Sequence, residues 1–445
     1  MKKIKEKENS FLNGGIFMKS ISKFMMGFAV MALTLTGCGS QANNADAGSQ
    51  TPSSTQETTS DTQETADAET EQQASEPVQL TLWHETEEGI SSILQAELDK
   101  LAPDIKVNVE RKENMTEALK LAAADPTNAP DFIWFAHDKI GLFAEMGIID
   151  PIDDYVDAGT FDKFVPLTAE AGLYNGKHYQ IPAYYETLMF MYNKALLDKA
   201  PTTTDELLEL CKSKTSGDHY GFVEQHSTGY YISAWVHAFN AQILSDKVEP
   251  GLDTKEMMDA IDYHKQFVEY MPKDGEWNTV TTLFLEGKAD SIVNGPWFVA
   301  SAKDAGIDLG VAPLPVVSAT NKALTPYSGV QGIMVSSACK DKEAAKKVLA
   351  LLSEKDLSEQ LALKNGAAPA QLEAYDNSDV QSNEVIMTLK TCAENAVPMP
   401  NVPQMDVMWS STENALAAIY KNGEDTKTAL EVGQKTALEQ IAAMQ

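Results

Sequence analysis

The sequence predicts an α/β protein of two domains, and three observations carry that prediction. From Val78 onward the apolar pattern switches strand, helix, strand, helix, strand, the order that builds a parallel sheet flanked by helices. The chain has 445 residues with 43% hydrophobic content, enough for two domains with a core each. Later segments repeat the same alternation without repeating the sequence.

The elements follow in order. "VQLTLWHE" opens with a strand from Val78 to Trp83, and "GISSILQAELDKLAP" places Ile90, Ile93, Leu94, Leu98 and Leu101 at helical spacing. "IKVNVER" alternates Ile105, Val107 and Val109 as a strand does, and "MTEALKLAAAD" reads as a helix stopped at Pro126. "PDFIWFAHDK" contributes a strand from Phe132 to Phe135. In such sheets ligands bind beyond the carboxyl ends of the strands. That places a site near residues 85–88, 111–114 and 135–139. Downstream, Thr203 and Glu206 stand at capping-box spacing. "ADSIVNGPW" and "VQGIMVSS" read as strands, "KEAAKKVLALLSEKDLSEQLAL" as helical, and helix resumes from about Asn414 to the end.

The N-terminus is a targeting segment. From Met18, a basic start leads into an apolar stretch too short to span a membrane, then Leu35-Thr36-Gly37-Cys38. Small residues before a cysteine resemble a bacterial lipobox, which implies cleavage before Cys38 and lipid on its thiol. Residues 1–37 carry six lysines and two glutamates, so their loss takes the net charge from −30 to −34. Residues 38–77 are Ser, Thr, Gln, Ala and acidic residues with no base. They lack the apolar surface to offset chain entropy and read as a self-repelling disordered tether.

The negative charge and the single arginine, Arg111, exclude a nucleic-acid partner. Cys211, Cys339 and Cys392 form no C-x-x-C pair and are odd in number, so buried thiols are expected. No metal or cofactor motif and no phosphate loop stands out.

Chemistry concentrates in clusters of aromatics beside carboxylates or amides: "WHETEE" (83–88), "FAHDK" (135–139), "AYYETLMF" (183–190), "NGPW" (294–297) and "PMPNVPQMDVMW" (398–409). These suit carbohydrate. Aromatic faces stack on C–H faces of sugars, and carboxylates match paired hydroxyls. Burying about 50 Å² of ring face contributes only about 1.2 kcal/mol, and a charged hydrogen bond roughly 1.5–3 kcal/mol. Several clusters must therefore act together to overcome the cost of association.

Each cluster has a structural alternative. Trp83 reads as core packing. Trp134 and Phe135 point to opposite strand faces, so one at most lines a site. His137 reads as a structural donor. Asp138 either caps the next helix or faces ligand. Glu186, a lone carboxylate in an apolar run, reads as functional. Trp297 either packs on its turn or faces ligand.

At these positions the chain resembles the extracellular solute-binding proteins of ABC sugar importers, and within them the maltose/maltodextrin-binding proteins. "PDFIWFAHDK" is similar to that family's P-D-I-I-x-W-A-H-D-[RK], "MYNKALL" to I-Y-N-K-x-L-L, and "MPNVPQMDVMW" to M-P-N-I-P-Q-M-x-x-x-W. The resemblance spans nearly all of residues 80–440. It implies a two-lobed, type II periplasmic-binding-protein-like fold, with sugar bound in a cleft between lobes joined by a hinge. It assigns 78–184 and 333–380 to the N-terminal lobe, and 188–327 and 385–445 to the C-terminal lobe. Carried over by motif, the ligand-binding residues are Glu85, Glu87, Glu88, Phe135, Asp138, Lys139, Glu186, Tyr230, Tyr231, Trp297, Met399 and Trp409. Phe135 stands where a tryptophan usually stacks, Glu88 replaces a lysine, and Ser410 and Glu413 replace a tyrosine and an arginine.

The resemblance thus implies a monomeric, non-enzymatic component of an ABC importer, without cofactor. Anchored by lipid at the extracellular face of the cytoplasmic membrane, it passes α-glucan oligosaccharides to separate permease subunits. Competing readings are a secreted glycoside hydrolase, a binding protein for xylo- or fructo-oligosaccharides, and a surface adhesin.

Overall fold

The computed structural model describes residues 76–444 apart from Glu87 and Asp246. The leader, Cys38, the acidic segment as far as Ser75, and Glu87 lie outside the described residues, as does the side chain of Glu88.

The opening alternation folds as the periodicity predicts. β1 (Val78–His84) pairs in parallel with β2 (Ile105–Arg111), Val78 opposite Ile105. β3 (Phe132–Ala136) pairs in parallel on the other side, Leu82 opposite Phe132. The crossover helices Glu88–Leu98 and Met115–Ala124 lie between them in sequence.

The complete sheet is mixed rather than parallel. The long strand Tyr327–Ser336 runs antiparallel beside β3, and the strand Ile181–Thr187 runs antiparallel beside that. The pairing slips between Gln331 and Gly332. There a Cβ on Gly332 would meet the Ile181 carbonyl at 2.2 Å, so the two backbones approach closely enough to require glycine.

A second, antiparallel sheet places Met189–Asn193 between Leu309–Ala312 and Ser291–Asn294. Only Leu188 separates its central strand from the strand Ile181–Thr187 of the first sheet. The strand Tyr327–Ser336 also passes between lobes. Tyr327 is buried with Phe190, Trp235 and Leu416, whereas Ile333 and Val335 are buried with Leu82, Trp134 and Val348. A third passage, Val397–Pro398, pairs with Tyr327 and Ser328. The result is a two-lobed α/β fold with separate apolar cores, crossed by strands at a shared waist.

Local chemistry sets the helix ends. The Thr203 hydroxyl accepts from the Glu206 N–H (3.2 Å), while the Glu206 carboxylate takes the Thr202 N–H (2.7 Å), closing the capping box one residue early. The C-terminal helical region begins at Gln404, ten residues before the expected start, and runs to Tyr420. Pro403 leads into it with φ −54°, pre-organised for a helix. Trp409 therefore sits on a helix. All three described cysteines are free and buried, as their spacing led us to expect.

Candidate functional site: a cleft at the waist

A hollow of 280 Å³ opens where β1 and β3 end, as the strand-end rule requires. Glu85 and Thr86 line it after β1, and Trp134, Phe135 and Ala136 at the end of β3. Tyr184 and Glu186 enter from the crossing strand, Gln331 from its partner, and Asn365 and Ala367 from the end of a first-lobe helix. Pro296 and Trp297 face them from the second lobe. Trp134 and Phe135 both border the hollow, but the Trp134 side chain is fully buried in the first-lobe core while Phe135 is half-buried, in keeping with their opposite strand faces.

Each expected residue has a defined place. Phe135 is half-buried, edge-on to Phe143 at 5.9 Å, and its carbonyl accepts from Gln180 Nε2 (2.8 Å). Glu85 has a second engagement: its carboxylate accepts from the N–H groups of Asn114 (3.1 Å) and Met115 (3.2 Å). It therefore caps the positive end of the helix Met115–Ala124 while lining the cleft. The Arg111–Asn114 stretch does not line the hollow. Arg111 Nε instead donates to the Thr86 carbonyl (3.1 Å).

His137 is a structural clamp. Its Nδ1 accepts the Val330 N–H (3.0 Å), so Nε2 carries the proton and donates to the Met399 carbonyl (2.9 Å). Full burial pushes its pKa down and keeps it neutral. Asp138 caps no helix: neither adjoining helical turn has a side-chain cap. Its carboxylate lies 3.6 Å from Lys139 Nζ, and Lys139 in turn donates to Asp406 Oδ1 (2.6 Å).

Glu186 accepts from Gln331 Nε2 (3.4 Å). Tyr230 and Tyr231 begin the helix Gly229–Ala238 and diverge. Tyr231 is buried and donates to Asn294 Oδ1 (3.1 Å). Tyr230 lies against the Trp297 ring at 6.2 Å. Burial pushes the Tyr230 phenol well up, and the charges of Glu186 and Asp138 add to it.

The turn before Trp297 explains its own sequence. The Gly295 N–H donates to Asn294 Oδ1 (2.9 Å), and a Cβ on Gly295 would meet the Trp297 ring at 2.2 Å. The indole is folded back over the glycine, and Trp297 lines the cleft.

Met399 and Trp409 do not line this hollow. Met399 is buried at the crossing and lines a separate hollow of 370 Å³ with His137, His237 and Tyr327. Trp409 is half-buried, edge-on to Tyr327 at 5.8 Å and pressed on Gly229, where a Cβ would meet its ring at 2.8 Å. Ser410 is exposed and donates to the Val407 carbonyl (3.2 Å). Glu413 receives the Gly229 N–H at a helix N-terminus, and burial raises its pKa.

Thr86, Ala136, Tyr184, Pro296, Gln331, Asn365 and Ala367 were not singled out from sequence. Gln331 carried a signal, as the polar residue in an apolar strand. Tyr184 stood inside a cluster already noted. Asn365 and Ala367 carried none. Among the described residues, Trp134 Nε1, Tyr230 Oη, Asn294 Nδ2 and Gln331 Oε1 are buried without a protein hydrogen bond, and no group of three or more His, Cys, Asp or Glu is placed to hold a metal. Ring faces, a carboxylate and amides around an open hollow suit a polyhydroxylated ligand.

The fold and the cleft define a two-lobed solute-binding protein. A model of the bacterial extracellular solute-binding protein family matches residues 83–357. A maltotriose-binding protein of Pyrococcus abyssi is 34% identical over 353 residues, 77% of this chain and 78% of that protein. A maltooligosaccharide ABC transporter solute-binding lipoprotein of Streptococcus pneumoniae is 27% identical over 432 residues, 92% of this chain and 95% of that protein. The solved maltose/maltodextrin-binding domain of Bdellovibrio bacteriovorus, bound to maltotriose, has a TM-score of 0.74 at 28% identity and covers 82% of this chain and 100% of its own. The chain belongs to the bacterial extracellular solute-binding protein family.

Proposed function

We propose that this protein captures maltose and maltodextrins, α-glucan oligosaccharides, in the waist cleft and delivers them to the permease of an ABC transporter. The observation that carries the reading is the meeting of Phe135, Glu186 and Trp297 around one hollow, each from a different segment of the chain. Two stacking faces flank a carboxylate that accepts hydroxyl protons. The names of the relatives above point to the same ligand class. Asp138, Lys139 and Tyr230 extend the cleft, and Trp409 lies farther along it. Met399 and Tyr231 back the wall, and Glu85 joins from the end of β1.

Residues 78–184 with 333–380 form one moving body, and 188–327 with 385–445 the other. A sugar that touches both binds the closed form better and shifts the balance towards it. Lipid on Cys38 holds the monomer at the outer face of the membrane, near the permease.

Calorimetric titration of residues 78–445 with maltose, maltotriose, maltotetraose and longer maltodextrins, with xylotetraose as control, tests the ligand. Saturable binding of maltodextrins alone is expected, with no hydrolysis products on prolonged incubation. Preference for the xylan control would overturn the α-glucan assignment.

A further inference from the structure

Lys139 and Asp406 belong to different lobes. Lys139 ends the turn that follows β3, whose Phe132 and Trp134 are buried in the first-lobe core. Asp406 lies in the first turn of the helix Gln404–Tyr420, whose Met405, Met408 and Leu416 are buried in the second. Between them Asn401 is tied to the first lobe. Its amide donates to the carbonyls of Ala171 (3.0 Å) and Leu173 (2.7 Å), and its carbonyl accepts the Gly141 N–H (2.9 Å). Val397 and Met399 already pack with the second-lobe core, so Asn401 is a last tie to the first lobe just past the crossing, and Asp406 is the first charged side chain after it.

Across that joint, Lys139 Nζ lies 2.6 Å from Asp406 Oδ1 and 3.6 Å from Asp138 Oδ2. The lysine side chain is 15% exposed, Asp138 10% and Asp406 38%. Burial alone would lower the lysine pKa, but the two carboxylates more than offset it and hold the ammonium charged. A pair this sheltered is screened less than one in open solvent. Asp406 falls at an unspecified position of the motif quoted above.

We propose that Asp406 is a positioning residue: its ion pair with Lys139 clamps the two lobes in the arrangement that brings Phe135 and Trp297 around one hollow. The clamp favours the closed form, so it tightens binding of any ligand that closed form holds. Use of a maltodextrin as the probe rests on the function proposed above; the clamp itself does not.

A neutral sugar carries no charge, so a change in the salt dependence of affinity on altering Asp406 reads the ion pair. In the mature chain from Cys38 onward, made without lipid, Asp406→Asn weakens maltotetraose binding about fivefold at low salt. The difference falls below about twofold at 1 M salt, where the screening length is about 3 Å. Asp406→Glu restores most of the affinity, and Asp406→Asn adds nothing once Lys139→Met is present. In the ligand-free protein, spin labels at the exposed Leu121 and Lys255 report a longer or broader lobe separation in Asp406→Asn than in the parent. Equal affinity and equal separation overturn the clamp. Tighter binding overturns it too, because Asp406 would then be competing with sugar for Lys139. If the parent binds no maltodextrin, the ligand assignment fails and the lobe separation alone decides the clamp.

Discussion

Replacing Gly295 with alanine tests whether Trp297 is held in place by its own turn. Gly295 has φ −102° and ψ 178°, a conformation alanine adopts without strain. The three atoms nearest the new Cβ all belong to the far end of the Trp297 indole, Cη2, Cζ3 and Cζ2 at 2.2–2.5 Å. The backbone can therefore stay, and the ring must swing away. If the ring stacks on a sugar, about 50 Å² of apolar contact is lost. At about 25 cal/mol/Å² that is about 1.2 kcal/mol, or roughly sevenfold in affinity. Because Trp297 is only partly buried, stability should change by less than about 1 kcal/mol. Calorimetry with maltotetraose and thermal melts measure both quantities. Trp297→Ala should lose about as much, and the double variant Gly295→Ala/Trp297→Ala no more than Trp297→Ala alone. Unchanged affinity in Gly295→Ala beside a large loss in Trp297→Ala would refute the steric argument. No loss in either would remove Trp297 from the site.

Glu186→Gln keeps the shape of the cleft but removes a charged acceptor, so titration should show affinity falling by about 10- to 100-fold, the worth of one charge-assisted hydrogen bond. His137→Ala leaves the buried Val330 N–H and Met399 carbonyl unpaired, and denaturant unfolding should show a loss of about 2–4 kcal/mol. His137, His226 and His237 are all held below their ordinary pKa near 6.5, chiefly by burial. The unfolded chain therefore binds more protons in the window below 6.5, and melting temperature should fall as pH drops from about 6.5 towards 5; a flat profile there would contradict buried neutral imidazoles. Burial pushes the thiols of Cys211, Cys339 and Cys392 up to about 12, so a disulfide-exchange reagent should label none of them in folded residues 78–445 and all three after unfolding.

Much of the first lobe was legible because its signals are local. Strand and helix alternate in β1 to β3 and their crossovers, and period alone distinguishes them. The mixed character of the sheet was not legible. The antiparallel neighbours of β3 come from residues 181–187 and 327–336, and local periodicity says nothing about which distant strand pairs where. The early start at Gln404 was missed because prolines at 398, 400 and 403 masked a helix that the last of them in fact introduces. Tyr230 and Tyr231 were indistinguishable in sequence. Successive residues on a helix face about 100° apart, and only the packing of helix Gly229–Ala238 decides that Tyr231 turns inward.

By itself the sequence determined the α/β alternation, the burial of the thiols and the aromatic-and-carboxylate makeup of the clusters, because composition and short-range spacing carry those properties. Tertiary structure alone decided what each charged group does. Glu85 is shared with a helix terminus 29 residues away, and Lys139 meets Asp406 across 267 residues. A carboxylate's partner is whatever the folded chain brings within about 3 Å, and that depends on how the strands cross at the waist.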